Sequence, residues 1–179
     1  MAQDGDQRHA PGPQARPSQA PADDGARLKV FISYSRADLA FADEMFAGLE
    51  VMGFAPMLDR HAIAEGEDWK ARLGALIADA DTVVFVVSPD SAKSDVCAWE
   101  VEQAALLSKR IIPVLWRAPA PHPVPTRLAA LNYVRFDEQR SFMGGLKGLT
   151  TTLRADLGWL RDHTRYLLRA QEGDRGGRP

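Results

Sequence analysis

The chain is short of cysteine, of net charge, of long apolar runs, and of glycine at the turn where a dinucleotide-binding fold would need it. Cys97 is the single cysteine among 179 residues. An intrachain disulfide framework is therefore excluded, and a lone thiol fits a reducing compartment. Lysine plus arginine (22) nearly balances aspartate plus glutamate (24), for a formal net charge of -2. That leaves no basic footprint of the kind a nucleic-acid binder carries. No apolar run approaches the roughly 20 residues of a membrane-crossing helix, and the N-terminus shows no apolar signal core. The expectation is a soluble, cytoplasmic protein with neither nucleic acid nor membrane among its partners.

Several catalytic motifs are missing too. The first strand-to-helix turn, Ser33-Tyr34-Ser35-Arg36, contains no glycine. A Rossmann turn needs glycines so that the backbone can approach a pyrophosphate, so hydride transfer on such a fold is not expected. No Walker A lysine loop exists, which removes P-loop NTPase chemistry. A phosphoacceptor receiver domain would need acids after the first strand and at the end of the third. Those places read Ser33-Tyr34 and Val87-Ser88. His9, His61, His122 and His163 are scattered, and none pairs with Cys97 at ligand spacing, so no metal site is expected.

What the chain does have is apolar patterning: 45% of its residues are hydrophobic. That suits one domain with a core, plus tails. Residues 1–26 and 173–179 hold little to bury and read as disordered. Between them strand and helix patterns alternate, which predicts an α/β fold with a parallel sheet covered by helices. The strands are expected at Leu28–Ser33, Phe54–Leu58, Thr82–Val87, Ile111–Trp116 and, at an edge, Leu131–Phe136. Thr82–Val87 is apolar almost throughout, as a strand buried on both faces should be. Pro113 conflicts with a central position for the fourth strand, because proline cannot donate to the ladder.

Helices are expected over Arg36–Val51, Asp68–Ala78, Ala92–Lys109 and Ser141–Leu157. Ser35 is the expected N-cap of the first, with Asp38 three residues on, and Gly53 its stop. Phe41, Met45, Phe46 and Leu49 form its core stripe. Pro119, Pro121, Pro123 and Pro125 alternate in a stiff spacer. A further helical pattern over Asp156–Gln171 places Leu157, Leu160, Thr164, Leu167 and Leu168 on one face and Arg161, Arg165 and Arg169 on another. It reads as a C-terminal helical extension (158–172) that packs on the domain or meets a partner.

One helix carries the candidate chemistry. On the helix after the third strand, Val96, Cys97, Glu100, Gln103 and Ala104 fall near one face. A carboxylate among apolar neighbours is partly desolvated, which perturbs its pKa and strengthens its field on a cation. Most helical glutamates are ordinary surface residues, so the neighbouring strand ends matter. Tyr34 and Arg36 follow the first strand, Asp59 ends the second, and Trp69 begins the next helix. In a doubly wound sheet these ends gather over one crevice. Tyr34 and Trp69 can stack on a flat heteroaromatic ring, and Arg36 can pair with a phosphate. Each also has a plain reading, as a turn residue, a packing residue and a surface charge.

Five stretches in register resemble the Toll/interleukin-1 receptor (TIR) domain family. They are Val30-Phe31-Ile32-Ser33-Tyr34-Ser35, Ile63-Ala64-Glu65-Gly66-Glu67-Asp68-Trp69, Ala80–Ser91, Ser94-x-x-Cys97-x-x-Glu100, and Lys109-Arg110-Ile111-Ile112-Pro113-Val114-Leu115. The resemblance runs from about Leu28 to Leu157 and looks like the bacterial members. It implies a five-stranded parallel sheet with helices on both faces over residues 27–157. It also implies cleavage of NAD+ at the nicotinamide–ribose bond, with NAD+ as substrate and no cofactor. By that resemblance Glu100 is the catalytic glutamate. Tyr34, Arg36, Trp69 and Ser94 match family positions near the nucleotide, and Asp59 and Cys97, from the strand end and the helix face, are expected to join them in binding the substrate. Many members carry tryptophan immediately before the cysteine, where this chain has Val96. Family members pair or polymerise, so the implied partners are NAD+, further copies through TIR–TIR contacts, and a separately encoded sensor in an antiphage setting. The alternatives are a non-catalytic adaptor working through TIR–TIR association and a nucleoside-processing transferase on a similar fold.

Overall fold

Five short, mostly apolar strands build the sheet. The computed structural model describes residues 27–60, 68–137 and 141–155. The expected tails, most of the 59–67 loop and the 156–171 helical pattern lie outside the described residues. The strands are β1 (Lys29–Ser33), β2 (Ala55–Met57), β3 (Thr82–Val87), β4 (Arg110–Leu115) and β5 (Val134–Arg135). They are all parallel, in the order β2-β1-β3-β4-β5. Helices α1 (Leu39–Val51), α2 (Trp69–Asp79), α3 (Pro89–Ala92), α4 (Asp95–Leu106) and α5 (Thr126–Ala129) connect them. A final helix, α6 (142–155), follows β5.

The period of two in the strands sorts the sheet into two faces. Val30 and Ile32 of β1, Val84 and Val86 of β3, and Ile112 and Val114 of β4 meet Met45 and Leu49 of α1 and Leu149 and Leu153 of α6. The opposite parity, Phe31, Val83, Phe85 and Val87, meets α2 through Leu73 and Ile77 and α4 through Cys97, Val101 and Ala104. All six residues of β3 are buried, as its apolar run predicts.

Gly53 ends α1 as expected, with φ +88°. Its N–H reaches the Glu50 carbonyl and the Phe54 N–H reaches the Leu49 carbonyl, both at 3.0 Å. Those two bonds define a Schellman motif, which needs a left-handed residue where glycine costs least. Ser108 (φ 53°) plays the same part after α4, which stops three residues before the expected Lys109. Lys109 instead sends its ammonium to the Ala78 and Ala80 carbonyls at the end of α2 (2.8 and 2.6 Å).

Three expectations need correction. A 3₁₀ turn (Arg36–Asp38) precedes α1, and the Ser35 side chain makes no capping bond. Asp38 is buried and bonds Ser88, so it cannot return to a capping box. The helix expected over Ala92–Lys109 is two helices. Ser88 and Ser91 form a capping box that starts α3 at Pro89, the chain extends at Ser94, and α4 begins at Asp95. The edge strand shrinks to Val134–Arg135, because α5 and its turn take up the preceding residues, with Leu128 buried and Leu131 exposed.

Pro113 sits inside β4 without breaking it, and the ladder parity explains why. Trp116 N–H donates to Val87 and Phe136 N–H to the Leu115 carbonyl. Even-numbered residues of β4 therefore bond β3, and odd-numbered ones face β5. The β5 ladder begins only at Val114↔Val134, so the N–H that Pro113 lacks would have met no strand there.

Candidate active site

The order β2-β1-β3-β4-β5 reverses direction between β1 and β3, and open α/β sheets bind ligands at the carboxyl ends of strands at that point. A cleft of about 160 Å³ opens there. Its walls come from the end of β1 and its turn (Tyr34, Ser35, Arg36), from Asp59 after β2, from Leu73 of α2, and from Ser94, Val96, Cys97 and Glu100 at the start of α4.

Glu100 lies on the cleft floor with only 5% of its surface exposed. Its Oε2 accepts a hydrogen bond of 2.5 Å from Ser33 Oγ. Burial pushes the carboxyl pKa up to about 7, against the opposing pull of the Ser33 hydroxyl, and Asp59 adds to the rise. Desolvation dominates because one hydroxyl replaces a full shell of water. Cys97 is buried as well. Burial first, and then the neighbouring Glu100 charge, push its thiol up to about 12. A thiol so protonated is not a nucleophile.

Ser94 has a clear structural task. As N-cap of α4 its hydroxyl oxygen accepts from the Cys97 N–H at 3.2 Å. This cap fixes the first turn of the helix and hence the phase that aims Glu100 inward.

Asp59 ties the walls together. Its buried carboxylate takes Arg36 at 3.3 Å and Arg72 of α2 at 3.0 Å, while its backbone carbonyl accepts from Tyr34 Oη at 2.9 Å. Arg36, Tyr34 and Asp59 are thus one unit, and the Arg36 side chain remains 46% exposed at the cleft. Burial raises the Tyr34 phenol above its ordinary value, which keeps it a donor.

The structure brings Glu100, Tyr34, Arg36, Asp59, Ser94 and Cys97 to one cleft. It places Trp69 elsewhere. The Trp69 ring packs edge-on against Trp99, with centroids 5.2 Å apart, and joins the α2–α4 cluster rather than the cleft wall. The helical phase explains this, since Trp99 lies beside Glu100 in sequence but on the α2 side of α4. Of the expected α4 face, Cys97, Glu100 and Ala104 are buried and Val96 and Gln103 half-buried, and Val101, outside that expected face, is fully buried too. Ser33 and Arg72 were not singled out from sequence. Ser33 had a signal: it shares the parity of Phe31, the face that α4 covers. Arg72 had none beyond its place on the helix next to Leu73. Among the described residues no group of His, Cys, Asp or Glu is arranged to hold a metal ion, and no helix is long and apolar enough to cross a membrane.

Known proteins agree with this architecture. No curated protein sequence matches the chain. Among solved structures, the TIR domain of the Toll-related receptor TRR-2 from Hydra magnipapillata aligns with a TM-score of 0.58 at 23% identity, over 70% of this chain and 97% of that one. The TIR domains of the activated Roq1 resistosome align with a TM-score of 0.53 at 16% identity, over 73% and 99%. A TIR-STING receptor from C. gigas, in complex with 2',3'-cGAMP, aligns with a TM-score of 0.51 at 23% identity, over 66% of this chain and 38% of that larger one. At such identities the likeness is one of fold. The sequence itself goes further: a TIR domain family model matches residues 30–149, from β1 into α6, and the chain belongs to the TIR domain family.

Proposed function

We propose that this protein is an NAD+ glycohydrolase with Glu100 at its catalytic centre. The observation that carries the reading is the buried carboxylate on the floor of the cleft at the β1/β3 switch point. Nicotinamide in NAD+ is a cationic leaving group. When its bond to ribose C1' breaks, the electron pair stays on the pyridine nitrogen, so no general acid is needed. Positive charge then develops on the ribose. An anionic Glu100 in a dry site stabilises that charge strongly, because little water competes. Attack by water on C1' yields ADP-ribose and releases one proton, while attack by an adenine nitrogen yields a cyclic isomer.

The cleft is smaller than the roughly 300–1,000 Å³ of ordinary ligand pockets. Its size suits the nicotinamide end, with the remainder of the dinucleotide over the mouth beside Arg36. Residue 96 faces this space, and valine there offers an apolar contact in place of an aromatic one. The Roq1 TIR domains were solved within a resistosome. Assembly of this chain through TIR–TIR contacts, prompted by a separately encoded sensor in antiphage defence, is the corresponding proposal for its use.

The test is nicotinamide release from NAD+ at high protein concentration with a crowding agent. Wild type should release it, and Glu100→Gln should be slower by about 10³-fold, the scale on which a group stabilising transition-state charge acts. No release from wild type under any assembly condition would favour the adaptor reading. Equal release from both would remove Glu100 from the chemistry.

The raised pKa sets a pH dependence. Only ionised Glu100 stabilises the cation, so kcat/KM should fall about tenfold per pH unit below about 7, the value in the free enzyme. In Ser33→Ala the carboxylate loses the hydrogen bond that holds its pKa down. The limb of kcat/KM should then move to higher pH, with the alkaline plateau largely kept. An unshifted limb would show that Ser33 does not set the ionisation of Glu100.

A further inference from the structure

Asp59 holds two arginines on one oxygen. Its Oδ2 accepts from Arg36 at 3.3 Å and from Arg72 at 3.0 Å. The two guanidiniums are differently placed. Arg36 belongs to the 3₁₀ turn after β1, lines the cleft and leaves 46% of its side chain exposed. Arg72 belongs to α2, stands outside the cleft walls and is 24% exposed. The carboxylate between them is only 8% exposed.

Asp59 and Arg72 are the fixed parts of this arrangement. Tyr34 Oη donates to the Asp59 carbonyl at 2.9 Å, which anchors the aspartate through its backbone. The first turn of α2 is held by its N-cap. The Asp68 side chain accepts from the Ala71 N–H at 3.0 Å, and the Asp68 carbonyl accepts from the Arg72 N–H at 3.3 Å. Leu73, the next residue, is buried. Arg72 therefore reaches Asp59 from a packed helix and by the shorter bond. Arg36 reaches it from a turn, by the longer bond, and from within the cleft. Of the two, Arg36 is the one placed to leave.

Whether it can leave depends on Arg72. Stripping a buried carboxylate of its cations is strongly unfavourable, whereas leaving one guanidinium in place avoids most of that cost. We propose that Arg72 is a positioning residue for the cleft: it keeps Asp59 paired, so that Arg36 can turn from Asp59 to the diphosphate of the substrate. Asp59 then acts on the substrate through Arg36, as a latch and not as a contact. The diphosphate follows from the proposed glycohydrolase function, on which the exchange rests.

ADP-ribose is the probe, because it carries the diphosphate but no nicotinamide bond to cleave. Its dissociation constant is measured by calorimetry for the full chain and for Arg72→Met, Asp59→Asn and the double variant. Methionine is an unbranched helix former without charge, so α2 itself is kept. In Arg72→Met the Asp59 carboxylate loses a guanidinium and holds Arg36 back, and ADP-ribose should bind about tenfold more weakly. Asparagine has no charge with which to hold Arg36. Asp59→Asn should therefore bind at least as tightly as wild type, and the double variant should recover to within about threefold of it. An Arg72 that merely supports the fold predicts no recovery, since the second substitution cannot restore what the first removed. An unrecovered double variant thus overturns the proposal, as does an unchanged affinity in Arg72→Met. Near-ultraviolet circular dichroism checks that each variant is folded. Should Arg72→Met not fold, Asp59→Asn alone decides: affinity at or above that of wild type supports the latch, and a tenfold loss overturns it. A wild type that does not bind ADP-ribose at millimolar concentration overturns it too. Nicotinamide release without these shifts would remove the exchange and leave the glycohydrolase standing. The shifts without nicotinamide release would do the reverse.

Discussion

Glu100→Gln should make this fold more stable at pH 8, by about 3 kcal/mol, while slowing the proposed activity by about 10³-fold. The folded-state pKa of Glu100 is about 7 against an ordinary value of 4.5. Between those values the folded chain holds a proton that the unfolded chain has released. Unfolding free energy therefore falls as pH rises from about 4.5 to about 7, and is level above. At roughly 1.4 kcal/mol per pKa unit the ionised carboxylate costs about 3 kcal/mol of stability at pH 8. Glutamine keeps the acceptor for Ser33 Oγ and carries no charge to desolvate. Denaturant titrations at pH 5 and pH 8 check this. The gap between the two proteins should be about 1 kcal/mol or less at pH 5 and should widen to about 3 kcal/mol at pH 8. A wild type with the same pH slope as the variant would mean that Glu100 ionises freely and that its burial has no electrostatic cost. A residue kept at such expense in the interior is better explained by chemistry than by packing.

The features written plainly in the sequence were those governed by local rules. Gly53 stops α1 because its own backbone permits the left-handed turn. Thr82–Val87 is the buried centre of the sheet because its residues have no polar face to offer. Even Pro113, which argues locally against a paired strand, yields once the short reach of β5 is known. The site was half legible. Glu100, Tyr34, Arg36 and Asp59 follow from placing strand ends together and from the family resemblance. Ser33 sits 67 residues from Glu100 and Ser88 sits 50 from Asp38, so neither bond has a local pattern. The break between α3 and α4 was hidden for a related reason. Ser88 and Ser91 satisfy each other in a box, and a second cap at Ser94 restarts the helix; periodicity alone reads through both. Trp69 shows the remaining gap, since its ring is claimed by Trp99, and which neighbour claims an aromatic ring is a tertiary fact.

Asp38→Ala should cost about 3 kcal/mol, the largest loss expected from any single polar substitution near the strand ends. The Asp38 side chain is fully buried beneath the carboxyl ends of β3 and β4. Ser88 Oγ donates to its Oδ2 at 2.5 Å, and Arg117 bonds its Oδ1. Ser88 is also the N-cap of α3. One carboxylate thus joins the turn before α1, the exit from β3 and the exit from β4. Removing it leaves the Ser88 hydroxyl without its acceptor, whereas Arg117, 47% exposed, can turn to water or to Asp90. The loss should therefore sit at the low end of the roughly 3–5 kcal/mol seen when a buried ion pair is broken. Ser88→Ala should cost about 1–2 kcal/mol, through the cap and the bond to Asp38. Because both act through one contact, the double variant should fall short of the sum by about 1 kcal/mol. Chemical denaturation of the four proteins closes this cycle, and strict additivity would show that the contact contributes nothing. The turn that Asp38 anchors is the one that carries Arg36 to the cleft, so, on the proposed function, the same substitution should weaken binding of NAD+. That loss should appear in KM more than in kcat, since Glu100 is held separately by α4 and Ser33.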